Sequence, residues 1–66
     1  MTIIVNGERR DIAEGSTVGA LIAHLGLRRD GIAVARNDDV VVRASIDETA
    51  LADGDTVEII VAVAGG

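Results

Sequence analysis

The chain has 66 residues, 48% of them apolar and 26% charged, and carries a net charge of −5. That length holds one small domain, and that balance belongs to a globular chain rather than a disordered one. It contains no Cys, Lys, Pro, Phe, Tyr or Trp and a single His. This excludes disulfide staples, thiolate nucleophiles, multi-histidine metal sites and aromatic platforms for nucleobases.

The negative charge is the wrong sign for phosphate backbones, so no nucleic-acid partner is expected. The longest apolar run, Ile59 to Ala64, is far short of the ~20 residues that span a bilayer. Met1-Thr2-Ile3-Ile4-Val5 lacks the basic start and cleavage site of a secretory signal. A cytoplasmic protein without a membrane partner is expected. A domain of this size buries only about 60% of its unfolded surface. Its core must therefore come from Val, Ile, Leu and Ala packing, and nine Val with eight Ile favour a sheet.

In chain order, Met1 to Val5 reads as a first strand closed by Asn6-Gly7, the pair that suits a type I′ hairpin turn with φ > 0 at both positions. Glu8 to Ala13 reads as the returning strand, polar enough for a sheet edge. Ser16-Thr17 is an N-cap pair, and Val18, Leu21, Ile22 and Leu25 recur at i, i+3, i+4 and i+7 to form one helical face. Gly26 supplies the left-handed residue that ends such a helix. The helix is roughly two turns long, too short to persist alone, so it must pack on the sheet. Gly19, Ala20 and Ala23 are expected on its outer face, where small residues would let another surface approach.

Ile32 to Ala35 reads as the third strand, Asn37-Asp38-Asp39 as a turn and Val40-Val41-Val42 as a short fourth strand. Ser45 to Ala52 reads as irregular, and Asp53-Gly54-Asp55 as a further turn. The last strand runs from Thr56 to about Val63, with Val57, Ile59, Val61 and Val63 on one face. The first and last strands are the most continuously apolar and are expected at the centre of the sheet. The order β-β-α-β-β-β predicts an α+β fold: a mixed sheet of four or five strands with one helix on one face, closed as a β-grasp. One domain spanning 1–66 follows, with 63–66 as a C-terminal tail.

No catalytic constellation is apparent. His24 lies off the apolar helix face and reads as a solvated side chain. The paired acids Asp38-Asp39, Asp47-Glu48 and Asp53/Asp55 sit in turn-like segments, where Asp is favoured by local backbone bonds. No catalytic residue, metal site or bound cofactor is expected, and the chain does not read as an enzyme. Residues 1–36 hold five Arg against four acids, and residues 37–66 one Arg against seven. Such asymmetry suits either ordinary solubility or steering onto a basic partner.

The distinctive feature is Val63-Ala64-Gly65-Gly66, which leaves the last strand without a linker. Its α-carboxylate, with an ordinary pKa near ~3.5, is ionised at neutral pH. An activating enzyme can set that carboxylate on the α-phosphate of ATP as an acyl-adenylate, and a sulfur nucleophile can then displace AMP to leave a thiocarboxylate. Glycine has no Cβ, so the tail can thread a narrow channel. Ordering four tail residues costs about 4–8 kcal/mol, so the folded body is expected to dock as well.

The whole chain resembles the ThiS family, the sulfur carriers of thiamine biosynthesis. The resemblance is carried by Val5-Asn6-Gly7-Glu8, Gly15-Ser16-Thr17-Val18, Leu21-Ile22 with Leu25-Gly26-Leu27, and Ala33-Val34-Ala35-Arg36-Asn37. Val40-Val41, Arg43, Leu51, Asp53-Gly54-Asp55, Val57-Glu58-Ile59 and Ala62-Val63-Ala64-Gly65-Gly66 continue it. The chain departs from the family pattern at Val42 and Ile46, where many relatives carry Pro and Trp.

The resemblance implies a ubiquitin-like β-grasp and a carrier that is a co-substrate rather than a catalyst. Gly66 would be adenylated by a ThiF-type enzyme using Mg-ATP, then converted to a thiocarboxylate with sulfur from a cysteine desulfurase persulfide. The sulfur would pass to thiazole synthase, a ThiG-like partner. Gly65 would permit threading, and Val63 and Ala64 would be the recognition residues. Three other readings fit the same tail: a MoaD-like carrier for molybdopterin synthesis, a ubiquitin-like protein modifier, and a plain binding module.

Overall fold

The computed structural model of the chain describes residues 1–61. It contains β1 (Thr2–Val5), β2 (Glu8–Asp11), α1 (Val18–His24), β3 (Ile32–Arg36), β4 (Asp39–Val41), a 3-10 turn (Arg43–Ser45) and β5 (Thr56–Val61). The five strands form one mixed sheet in the order β2-β1-β5-β3-β4. β1 and β5 run parallel at its centre, and the other neighbours are antiparallel. This is the expected β-grasp, with the predicted strands at its centre.

The Asn6-Gly7 turn has φ of 50° and 82°, the left-handed pair that a two-residue hairpin demands. It sets the register Val5↔Glu8 and Ile4↔Arg9. β2 stops at Asp11 rather than Ala13, and just beyond it Ile12 exchanges two main-chain bonds with Met1: Ile12 N–H donates to Met1 O at 2.9 Å and the Met1 amino group donates to Ile12 O at 2.8 Å. A second such turn, Asn37-Asp38 at φ 50° and 70°, closes β3 onto β4. The turn takes two residues, not the expected three, so Asp39 joins β4 and Val42 leaves it.

Thr17 caps α1, its Oγ1 accepting from Ala20 N–H at 3.1 Å. At the other end Leu27 N–H bonds Ile22 O and Gly26 N–H bonds Ala23 O. These paired bonds close the helix around Gly26 at φ 71°. The first helical N–H groups, which no helix can satisfy by itself, are taken by the following loop. Val18 N–H bonds Thr49 O at 2.9 Å, and Gly19 N–H bonds Ile46 O at 3.0 Å. That is why the segment expected to be irregular is held in place, starting with a 3-10 turn two residues earlier than Ser45.

Val18, Leu21 and Ile22 from the helix meet Ile3, Val5, Val34, Val57 and Ile59 from the sheet, with Ile46 and Leu51 closing the core from the loop. Ile3, Val18, Leu21, Ile22 and Val57 are fully buried, each contributing about 1.5–3 kcal/mol. Val61 shares the face of Val57 and Ile59 but is exposed. Among the described residues no helix is long and apolar enough to cross a membrane.

Candidate functional site

The candidate site is the central strand β5 and what it leads to. Val63, Ala64, Gly65 and Gly66 lie outside the described residues; the stem that carries them does not. β5 is anchored at its start by Asp55, which is 7% exposed. Its carboxylate accepts from Arg36 Nε at 3.0 Å, Asn37 Nδ2 at 3.0 Å and Ala52 N–H at 2.8 Å. Burial by itself raises this carboxyl pKa. The Ala52 and Asn37 hydrogen bonds and the Arg36 charge outweigh burial and hold it below the ordinary carboxylate value.

Two asparagines then grip β5 from either side. Asn37 Oδ1 accepts from Thr56 N–H at 2.9 Å, while Asn37 N–H bonds Thr56 O at 2.8 Å. Across the strand, Asn6 Oδ1 accepts from Ile59 N–H at 2.8 Å and Asn6 Nδ2 donates to Ile59 O at 3.1 Å. Both asparagines sit in the left-handed conformation, which Asn tolerates better than most residues. Each lies in a hairpin turn and uses its side chain to continue the pairing where its own main chain turns away.

The sheet face away from the helix is apolar near this stem. By register Ile60 lies beside Ala33, and Ala35 lies between Glu58 and Val40, all on that outer face. Ile60 and Val40 are 64% and 76% exposed.

The remaining candidates take structural parts. His24 is exposed, as expected. Asp47 is in a bidentate pair with Arg29, at 2.8 and 2.6 Å. That hydrogen-bonded contact lowers the Asp47 pKa against a smaller effect of desolvation. Asp53 accepts from Thr2 N–H at 2.7 Å. These acids therefore serve long-range contacts, where the sequence pointed only to local turn bonds.

Gly19 corrects another expectation. It is buried rather than on the outer helix face, and a Cβ built there runs into Asp47 Oδ1 and Arg29. Ala20 and Ala23 are exposed as expected. The roles of Asn6, Asn37, Asp55 and Gly19 were absent from the sequence reading. For the two asparagines the signal was Asn, rather than Asp or Gly, at the head of both hairpin turns; Asp55 and Gly19 carried none.

The sequence matches the ThiS family over residues 3–66. The chain belongs to the ThiS family. It is 33% identical over 66 residues to the sulfur carrier protein ThiS of Escherichia coli, covering 100% of both chains. A crystal structure of the thiamine biosynthesis protein ThiS from Geobacter metallireducens superimposes with a TM-score of 0.85 at 32% identity, covering 100% of both chains. The chain is also 38% identical over 66 residues to a thiazole synthase of Paramagnetospirillum magneticum. There it covers 100% of this chain but spans only 20% of the relative's length. The ThiS relatives share the β-grasp, so the fold reached from strand order agrees with that of the family.

Proposed function

We propose that this chain is a sulfur carrier of thiamine biosynthesis, and that its transferable sulfur is held as a thiocarboxylate on Gly66. The observation that carries this reading is the match to ThiS proteins along the whole chain, running through the Gly65-Gly66 pair. The stem geometry supports it. A central strand gripped by Asn6, Asn37 and Asp55 is a rigid base for a tail that must enter another protein's active site.

The chemistry follows from the tail. A ThiF-type enzyme with Mg-ATP joins the Gly66 carboxylate oxygen to the α-phosphate and releases pyrophosphate. A persulfide sulfur from a cysteine desulfurase then attacks the acyl carbon, and AMP leaves. Reductive cleavage of the resulting acyl disulfide by a thiol leaves the thiocarboxylate. Thiazole synthase is the sulfur acceptor, a reading supported by the thiazole synthase relatives that contain a segment similar to this chain. Gly65 gives the tail its slim profile, and Val63 and Ala64 are the side chains a channel can read. The folded body docks through the apolar outer face around Ala33, Val40 and Ile60, offsetting the entropy of ordering the tail.

The test is the intact mass of the 66-residue protein after incubation with Mg-ATP, a ThiF-type enzyme and a persulfide donor. The expected result is a gain equal to replacing one oxygen by sulfur, localised to Gly66. No gain, with a known ThiS converted in parallel, overturns the reading.

A further inference from the structure

The two edges of the sheet differ in what they present. Edge strands leave a row of unpaired N–H and C=O groups, and proteins blunt them with charge. β2 is blunted in this way: Glu8, Arg9, Arg10 and Asp11 are all exposed. Antiparallel self-pairing centred on β2 sets Glu8 against a second Asp11, and Arg9 against a second Arg10, so like charges meet.

The β4 edge reads the opposite way. Asp39-Val40-Val41-Val42-Arg43 is self-complementary about Val41. Antiparallel pairing with a second copy puts Val40 opposite Val42 and Val41 on the two-fold axis, and brings Asp39 beside Arg43, the first residue of the 3-10 turn. Val40 and Val42 are 76% and 59% exposed. Among the described residues Asp39 makes no ion pair, and Arg43 reaches only Asp30 Oδ1 at 4.0 Å and Arg29 O at 3.4 Å.

The backbone is set for the same register. The two-residue turn makes Arg36–Asp39 a hydrogen-bonded pair, so in the antiparallel alternation Val34–Val41 is the next. The N–H and C=O of Val40 therefore face outward, as does the N–H of Val42, which is still extended at φ −66° and ψ 150°. Val42 O already accepts from Ser45 N–H at 2.8 Å, and its second lone pair remains. In the pair, Val40 N–H donates to the second copy's Val42 O and Val42 N–H donates to the second copy's Val40 O, twice over by symmetry. A groove of about 330 Å³ runs along β4, with Asp39, Val40, Val41 and Val42 in its lining.

We propose that the β4 edge is a self-association surface, at which two copies of this chain join through antiparallel β4 strands into one continuous ten-stranded sheet. The contact is isologous, as two-fold dimers require. It is short, so the dimer is weak. β5, which leads to the tail, stays two strands away from the contact in each copy.

Sedimentation equilibrium of the full 66-residue chain tests this, from about 10 μM to about 1 mM, where weak dimers assemble. The weight-average mass is expected to rise from 6.8 kDa toward twice that value. Asp39→Arg and Arg43→Asp each create two like-charge pairs and should weaken the dimer at least about ten-fold, while the double swap restores it to within about three-fold. Val42→Pro removes the outward N–H without changing charge or forcing the backbone, and should also abolish association.

A mass that stays at the monomer value throughout overturns the proposal and leaves the edge to a strand of another protein. A dimer that survives the single swaps, or a folded double swap that stays monomeric, overturns it too.

Discussion

The side chain of Asn6 is paired to the peptide of Ile59 through both of its amide atoms, at 2.8 and 3.1 Å. The parallel ladder between β1 and β5 ends at Val5↔Val57, because the main chain turns away at Asn6-Gly7. The carboxamide replaces the missing strand for one more residue. Without it, the buried Ile59 keeps a main-chain donor and acceptor with no partner on that side.

Asn6→Gly separates this clamp from the turn, because Gly keeps the left-handed φ of 50° at no steric cost. The variant should fold and lose about 1–2 kcal/mol of stability by urea unfolding, the cost of unsatisfied polar groups. The Ile59 amide should lose more hydrogen-exchange protection than Val57. Unchanged stability and protection would show that solvent replaces the carboxamide without cost.

Asp55 makes the fold acid-sensitive. Its pKa is lower in the folded chain than the ordinary value of 3.8, so folding favours the ionised form. The stability this adds is fully present above that ordinary value and is lost as pH falls through the lowered one. Asp55→Asn presents an NH2 group where three donors converge, and should cost about 2–4 kcal/mol at pH 7. Urea midpoints should fall less between pH 6 and pH 3 in the variant than in the parent. Equal slopes would remove Asp55 from the acid response.

The local grammar of this chain was legible, and its long-range polar contacts were not. Asn6-Gly7, Thr17 with Gly26, and the Val18, Leu21, Ile22 stripe act on neighbours within a few residues, so their spacing reveals them. Asn6 to Ile59 and Asp55 to Arg36 join residues far apart in sequence, and either partner alone reads as ordinary turn chemistry. Val61 followed the two-residue alternation of β5, yet is exposed. Periodicity assigns a face of the sheet but not where its cover ends. The tail residues were singled out by composition and chemistry, and the match to ThiS proteins runs through them.

Gly19 shows the same blindness on the helix. Its missing side chain makes room for Asp47 and Arg29, a pair whose side chains are 67% and 48% exposed. An exposed pair contributes little, and its atoms are side-chain ends that can swing aside. Ala in a helix is favoured over Gly by about 0.8–1 kcal/mol. Gly19→Ala should therefore stabilise the chain by up to about 1 kcal/mol in thermal or urea unfolding, while a double-mutant cycle shows the Arg29–Asp47 coupling lost. Net destabilisation would mean that Asp47 cannot leave its place over the helix.

Val42 carries the backbone of a proline, with φ −66° and ψ 150°. Its N–H faces away from β3, and Val41 before it is extended as a residue preceding Pro must be. Val42→Pro should stabilise the monomer by about 0.4–1 kcal/mol by restricting the unfolded chain. The comparison belongs at low protein concentration, where association through β4 does not contribute. A lower unfolding midpoint would mean that the Val42 side chain or N–H has a partner in the monomer.

The last prediction separates folding from carrier chemistry. The buried core of the described residues is complete at Ile59, so deletion of Gly66 should leave the unfolding free energy in urea within about 0.5 kcal/mol of the parent, as for other changes away from a core. The same deletion should abolish sulfur loading, because the shortened chain presents the Gly65 carboxylate one residue short of the activating site. Gly65→Ala keeps the length and adds one methyl group in the threading segment. It should slow thiocarboxylate formation at least about ten-fold, corresponding to about 1.4 kcal/mol in the transition state, again with the midpoint unchanged. Loading of the deletion variant at the parental rate would remove Gly66 from the reaction. Equal rates for Gly65→Ala would mean that the channel is wider than a glycine tail requires.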